Sequence, residues 1–241
     1  MPRVKFIYKN KTKIAYRFSK RNKKTIIFLH GLMSDMNGKK ARFLNQFCLK
    51  NDLSFLAFDF RGHGKSDGHI INFGINDWIE DLKTIVSYHK LKKFILIGSS
   101  MGGWVAMKYA TEFPDKVIKL LGIAAAPDFT TDLIWAELTH EQKNKIRNNR
   151  VIKKRINKHF FYYYSPALFN NSKSAVLKNS KKKYNGETIL FHGGKDLTVP
   201  VNYNDHYLFK ATFKNLKIIK IQNADHSMAD QKSLNTIIKF I

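Results

Sequence analysis

The stretch Lys93-Phe94-Ile95-Leu96-Ile97-Gly98-Ser99-Ser100-Met101-Gly102-Gly103-Trp104-Val105-Ala106 decides the fold. An apolar run of strand length leads into Gly-x-Ser-x-Gly, and a helix-like run follows directly. Strand, tight turn and helix in that order form a nucleophile elbow, which lifts one serine hydroxyl above the end of a sheet. The turn is so sharp that the residues two before and two after the nucleophile must lack bulk, and Gly98 and Gly102 stand there. In this frame the exposed hydroxyl belongs to Ser100, not Ser99. Five residues of this kind can also arise by chance in an ordinary strand-helix turn, so the rest of the chain has to agree.

Reading outward, strand-like and helix-like segments alternate. Val4 to Tyr8 and Ile14 to Phe18 read as a hairpin, and Thr25 to Leu29 as a strand apolar on both faces. Gly38 to Lys50 is helical by the spacing of Ala41, Leu44, Phe47 and Cys48, and Ile75 to His89 by Trp78, Leu82, Ile85 and Val86. Strands follow at Leu53 to Phe58, Lys93 to Gly98 and Val117 to Ala124. A helix over Ser100 to Phe113 is stopped by Pro114. This alternation predicts an α/β fold with a mostly parallel sheet covered by helices on both faces. The rhythm breaks at Pro127. Residues 127–186 read as polar and helical without a clean strand, with an aromatic knot at Phe160-Phe161-Tyr162-Tyr163-Tyr164 and a Lys/Asn/Ser stretch at 170–185 expected to be mobile. The rhythm resumes with a strand at Thr188 to His192, a helix near Val201 to Lys210, a strand at Leu216 to Ile221 and a last helix at Asp230 to Ile241. The expected organisation is one domain, 1–241, with a core of 1–126 and 187–241 and a helical cap over about 127–186.

A serine hydroxyl needs a base, and the base needs an orienting carboxylate. In a doubly wound sheet such residues lie just past the C-terminal ends of strands. Past Thr188 to His192 comes Gly193-Gly194-Lys195-Asp196. Past Leu216 to Ile221 comes Gln222-Asn223-Ala224-Asp225-His226. The expected set is Ser100, Asp196 and His226, in the chain order Ser…Asp…His. Asp128, past another strand, and Asp225, beside His226, are the alternatives for the acid. Oxyanion donors are expected from the N–H of Met101 and, in the loop His30-Gly31-Leu32, from the N–H of Leu32. Gly31 there permits close approach, and His30 supports the loop. Asp59-Phe60-Arg61-Gly62-His63-Gly64-Lys65-Ser66-Asp67-Gly68 reads as a structural loop near the floor of the site, with His63 a hydrogen-bonding residue. No set of Cys, His and carboxylates has metal-ligand spacing, no Walker A spacing is present, and no cofactor is expected.

These motifs together resemble the α/β-hydrolase superfamily over nearly the whole chain. The HG loop, D-F-R-G-H-G-x-S, G-x-S-x-G, G-G-x-D-x-x-V-P and the late D-H all carry the resemblance. Within the superfamily, Leu29 to Ala41, Phe47-Cys48, Ser66-Asp67-Gly68 and Gly98 to Trp104 look like the subgroup of mitochondrial palmitoyl-protein thioesterases and acyl-glucuronide esterases. The resemblance implies hydrolysis of acyl esters or thioesters, with Ser100, Asp196 and His226 as the triad. A serine at the elbow argues against the dehalogenase and epoxide-hydrolase branches, which place an aspartate there. The chain departs from the subgroup in having no visible transit peptide and a Lys-rich cap, so it reads as a bacterial-type relative. Other reactions on the same triad, C–C bond or peptide hydrolysis, and a non-catalytic binding role remain open alternatives.

Composition bounds the rest. The chain has 241 residues, 44% of them hydrophobic, enough for a sizeable core. Apolar runs are far shorter than the ~18 residues a membrane span needs, and the N-terminus shows no secretory h-region. The lone Cys48 fits a reducing compartment, so a cytoplasmic location is expected. Net charge is +25, carried by 35 Lys and only 8 Arg spread along the chain. Base readout leans on arginine, and Lys, Ile and Asn share A/T-rich codons. Codon bias therefore explains the charge better than nucleic-acid binding, leaving a weak attraction to anionic surfaces. The expected partner is a small-molecule or acylated-protein substrate.

Overall fold

Short apolar runs alternating with amphipathic helices build one eight-stranded sheet. The computed structural model describes residues 1–9, 11–155, 161–178, 180–205 and 207–241. In chain order the first half runs β1 (Lys5–Lys9), β2 (Thr12–Ser19), β3 (Thr25–Leu29), α1 (Lys39–Lys50), β4 (Ser54–Phe58), α2 (Ile75–Tyr88), β5 (Phe94–Ser99), α3 (Met101–Glu112) and β6 (Val117–Ile123). A π-helical stretch (Thr130–Trp135), α4 (His140–Arg147), β7 (Ile152–Arg155), β8 (Phe161–Tyr164) and α5 (Pro166–Asn170) come next. The chain closes with β9 (Tyr184–Gly193), α6 (Tyr207–Thr212), β10 (Phe213–Ile221) and α7 (Gln231–Ile238).

The strand order is β1-β2-β4-β3-β5-β6-β9-β10, and β7 pairs with β8 in a separate two-stranded sheet. Pairing is antiparallel for β1 with β2 and for β2 with β4, and parallel from β4 across to β10. This is the α/β-hydrolase fold. Successive side chains along a strand point to opposite faces, so the sheet carries two cores. Ile27, Leu29, Leu56, Phe58 and Leu96 pack with Trp78, Leu82 and Trp104 of α2 and α3. Ile26, Phe28, Phe55, Ile95 and Ile97 pack with Ala41, Leu44 and Cys48 of α1 and Ile237 of α7. Connections leave β3 and β5 toward opposite edges, so a crevice opens beyond the C-terminal ends of these two neighbouring strands.

Three readings of the sequence need correction. Residues 127–186 contain strands: β7 and β8 form a hairpin in register Ile152↔Tyr164 to Arg155↔Phe161, and β9 begins at Tyr184. In Phe161 to Tyr164 alternate aromatic rings take opposite faces. Tyr162 and Tyr164 stack at 6.4 Å, a period of two that suits a strand rather than a helix. Phe160 of that run lies outside the described residues. The stretch expected to be mobile is packed over much of its length. Leu177 is fully buried, Trp104 Nε1 donates to the Ala175 carbonyl at 3.0 Å, and the N–H of Ile75 donates to Ser172 Oγ at 3.2 Å. Polar composition hid this because the anchors are backbone groups. Finally, the helix expected near 201–210 divides into a 3₁₀ turn (Tyr203–Asp205) and α6; residue 206 within it lies outside the described residues.

Candidate active site

Ser100 sits where β5 turns into α3, with φ 52° and ψ −118°. A non-glycine residue there is strained by about 1–3 kcal/mol and persists only when its surroundings fix it. They do. The Ser100 N–H donates to the Ile123 carbonyl at 2.9 Å, and the Ser100 carbonyl accepts from Gly103 at 2.9 Å and Ala126 at 3.2 Å. Any side chain on the flanking glycines would collide with backbone. A Cβ at Gly98 would lie 2.2 Å from the Gly102 carbonyl oxygen, and one at Gly102 would lie 2.4 Å from that of His30.

The structure brings Ser100, His226 and Asp196 into one line. The Ser100 hydroxyl donates to His226 Nε2 at 3.0 Å. On the other side of the ring, Nδ1–H donates to Asp196 Oδ2 at 2.8 Å. The second carboxylate oxygen of Asp196 accepts from the N–H groups of Thr198 at 2.8 Å and Val199 at 2.9 Å. Burial pushes the Asp196 carboxyl up, but the hydrogen bonds from His226, Val199 and Thr198 outweigh burial and hold it below its ordinary value. Asp196 is thus a carboxylate at neutral pH, able to hold His226 in the tautomer that leaves Nε2 free to accept a proton.

The rival acids are occupied elsewhere. Asp128 is buried, and its two carboxylate oxygens accept from the N–H groups of Leu177 at 2.7 Å and Lys178 at 3.0 Å. Burial pushes its carboxyl up to about 6. Asp225 bonds within its own loop, accepting from Ser227 Oγ at 2.8 Å and the Met228 N–H at 3.0 Å.

Met101 opens α3, so its N–H is one of the first-turn donors with no partner inside the helix. Leu32 lies with Met101 and Ser100 on the wall of one cavity. Gly31 faces Ser100 so closely that a Cβ there would approach Ser100 Cβ to 3.3 Å. His30 locks this loop: its ring bonds the Gly31 carbonyl at 2.8 Å through Nδ1 and accepts the Phe60 N–H at 3.2 Å through Nε2. Burial pushes His30 down to about 4, so the ring is neutral at pH 7. Below it, buried Asp59 ties two loops together by accepting from the N–H groups of Met36 at 2.7 Å and Lys65 at 2.8 Å. His63 packs against His30 with ring centroids 5.0 Å apart, and burial followed by that neighbour pushes it down to about 3.

Two cavities meet at Ser100. One, of about 290 Å³, is walled by Phe129, Leu133 and Ile134 of the 127–186 segment with Leu197 and Val199, and also by Glu137 and Lys154. The other, of about 220 Å³, is of mixed character and includes His226, Ser34, Lys39 and Lys40 beside Phe28 and Leu32. Tyr162 lines both. Sequence reasoning missed Tyr162. The alternation within Phe161 to Tyr164 was the available signal, because a strand there turns every second ring toward the serine. Among the described residues, no group of His, Cys, Asp and Glu could hold a metal ion, and no helix is long and apolar enough to cross a membrane.

A family profile described as "Serine aminopeptidase, S33" matches residues 20–177. The chain belongs to this family. The S33-family match spans the elbow, the His30 loop and most of the segment over the site, and it marks the protein as a hydrolase. The chain is also 29% identical over 226 residues to the mitochondrial palmitoyl-protein thioesterase ABHD10 of Rattus norvegicus, covering 93% of this chain and 76% of the relative. Among solved structures, the mouse alpha/beta hydrolase domain-containing protein 10 superposes with TM-score 0.87 at 27% identity, covering 99% of this chain and 96% of that one. A putative hydrolase from Agrobacterium vitis S4 superposes with TM-score 0.89 at 23% identity over 100% and 97% of the two chains, a likeness of fold.

Proposed function

We propose that this S33-family protein hydrolyses acyl esters or thioesters through an acyl-enzyme on Ser100. The observation that carries the reading is the continuous path Ser100 Oγ, His226, Asp196 at 3.0 and 2.8 Å, opening on a cavity partly walled by Phe129, Leu133 and Ile134. Ser100 Oγ attacks the acyl carbonyl carbon as its proton passes to His226 Nε2. The oxyanion is held by the N–H groups of Met101 and Leu32, each worth about 2.7–4 kcal/mol in the transition state. The C–O or C–S bond breaks, and His226 returns the proton to the leaving alcohol or thiol. Water then attacks the acyl-Ser100 carbonyl with His226 as base, releasing the carboxylic acid and restoring the serine.

In this reading the cavity walled by Phe129, Leu133 and Ile134 takes the acyl chain, and the one beside His226 the leaving group. Residues 127–186 act in this reading as a cap within one domain, 1–241, whose core is 1–126 and 187–241. The relatives named as palmitoyl-protein thioesterases support thioester chemistry. Peptide cleavage from an N-terminus is less well supported, since such a site must hold a free ammonium. Glu137, the carboxylate on the cavity walled by Phe129 and Leu133, is paired with Lys154 at 3.5 Å.

For the compartment we favour the cytoplasm, because the single Cys48 can form no internal disulfide, as fits a reducing compartment. The relatives' mitochondrial name is the competing address, which fractionation decides. Small molecules or acylated proteins are the substrates this reading admits, with no cofactor and no specific nucleic-acid partner.

The test is a burst assay with a short-chain p-nitrophenyl ester on wild type and Ser100→Ala. A phenolate burst in wild type that vanishes in Ser100→Ala is expected, with turnover falling on the order of a million-fold. A wild-type enzyme that gives no burst on any chain length, and whose Ser100 resists a fluorophosphonate probe, would sink the proposal.

A further inference from the structure

Lys40 stands in the first turn of α1, on a different element from every member of the triad. Its Nζ donates to the main-chain carbonyl of Ser227 at 2.5 Å, and Ser227 directly follows His226. The loop 225–228 braces itself through Asp225, which accepts from Ser227 Oγ and the Met228 N–H. Hydrogen bonds from Lys40 and from His226 itself tie residues 225–228 to other elements, and the buried Met228 side chain packs in the core. Lys40 also lines the smaller cavity, which includes His226 and Ser100. Burial disfavours its ammonium, and the Asp225 carboxylate works the other way, the net shift being downward.

We propose that Lys40 is a positioning residue for His226: by holding the Ser227 carbonyl it sets the imidazole over Ser100. The inference rests on His226 acting as the base. The groups facing that cavity are Lys39, Lys40, Asp35 and His30, with Asp196 behind the ring and Asp225 beside it.

The experiment compares kcat and KM for wild type, Lys40→Met and Lys40→Arg on the same ester. Lys40→Met is expected to lower kcat about tenfold, as a misplaced base does, while KM changes by less than about twofold. Lys40→Arg keeps a donor in reach of the Ser227 carbonyl, so it recovers most of kcat. A Lys40→Met protein with a wild-type melting curve and unchanged kcat would overturn the inference. Should Lys40→Met fail to fold, Lys40→Gln offers a shorter donor: a fall in kcat at unchanged KM supports the inference and a wild-type kcat overturns it. Wild-type turnover that does not depend on Ser100 would remove the hydrolase reading and this one together, whereas normal wild-type turnover with an indifferent Lys40→Met removes this one alone.

Discussion

The floor beneath Ser100 and the wall above it come from different parts of the chain and are held by different forces. The floor is core. Ser100, Asp196 and the His30 loop follow β5, β9 and β3, the strands buried between the two helical layers. Their loops are fixed by backbone hydrogen bonds and buried carboxylates, as at Asp59 and Asp196. The wall is built from a π-helical stretch and a two-stranded hairpin, elements that have little stability alone. Contacts that pin it to the core include Trp104 to Ala175, Ile75 to Ser172, and Asn76 to Asn171. The chemistry thus rests on a scaffold that tolerates no slack, and the acyl chain meets a surface that can vary without disturbing it.

That division can be broken at either end. On the floor, Asp196→Asn is expected to cut kcat about ten-thousandfold, because Nδ1 of His226 loses the acceptor that sets its tautomer. Asp128→Asn, by contrast, should leave kcat within a few-fold. The acid role would have to be reassigned if the two variants exchanged their effects in the burst assay. On the wall, Tyr162→Ala opens the partition between the two cavities. It is expected to change the ratio of kcat/KM for long-chain over short-chain esters by about tenfold, within the range one wall contact can discriminate. A Tyr162→Ala enzyme with an unaltered chain-length profile would mean the acyl group does not lie in the cavity we assign to it.

The same division explains what the sequence made legible. Ser100, Gly98 and Gly102 were readable because a tight strand-helix turn leaves few residue types to choose from. The collisions at 2.2 and 2.4 Å show why. Asp196 and His226 were readable because each follows a strand at a place fixed by topology. The sheet and its flanking helices followed from apolar runs and periodicity, as at Thr25 to Leu29 and in α2. The segment 127–186 was not readable in the same way. Its hairpin sets lysines of one short strand over aromatic rings of the other, as Lys153 over Phe161 and Lys154 over Tyr164, and its polar tail is held by backbone donors reaching Asp128, so neither leaves a hydrophobic pattern. Lys40 was hidden for a related reason. One lysine among 35 carries no mark that it reaches a carbonyl from 187 positions away.

The smallest effect expected concerns the buried histidines under the floor. Burial holds His30 at about 4 and His63 at about 3, against an ordinary value of 6.5. A folded state that binds fewer protons than the unfolded one loses stability on acidification, at up to about 1.4 kcal/mol per pH unit for each group. For these two the loss begins near pH 6.5 and continues to about pH 4 for His30 and about pH 3 for His63. Asp81 and Asp128 act in the opposite sense. Their carboxyls are raised to about 6 from 3.8, so their ionisation costs stability as pH rises through that interval, and acidification relieves it. The two effects oppose each other between about pH 6 and pH 4, so wild type should show only a shallow fall in Tm there. His63→Gln deletes one histidine contribution while leaving both carboxyls. Its Tm at pH 7 should fall modestly, but its slope of Tm against pH between 6 and 4 should flatten or change sign. Parallel slopes for the two proteins would show that His63 takes up its proton in the folded state, and that the floor is wetter than its burial implies.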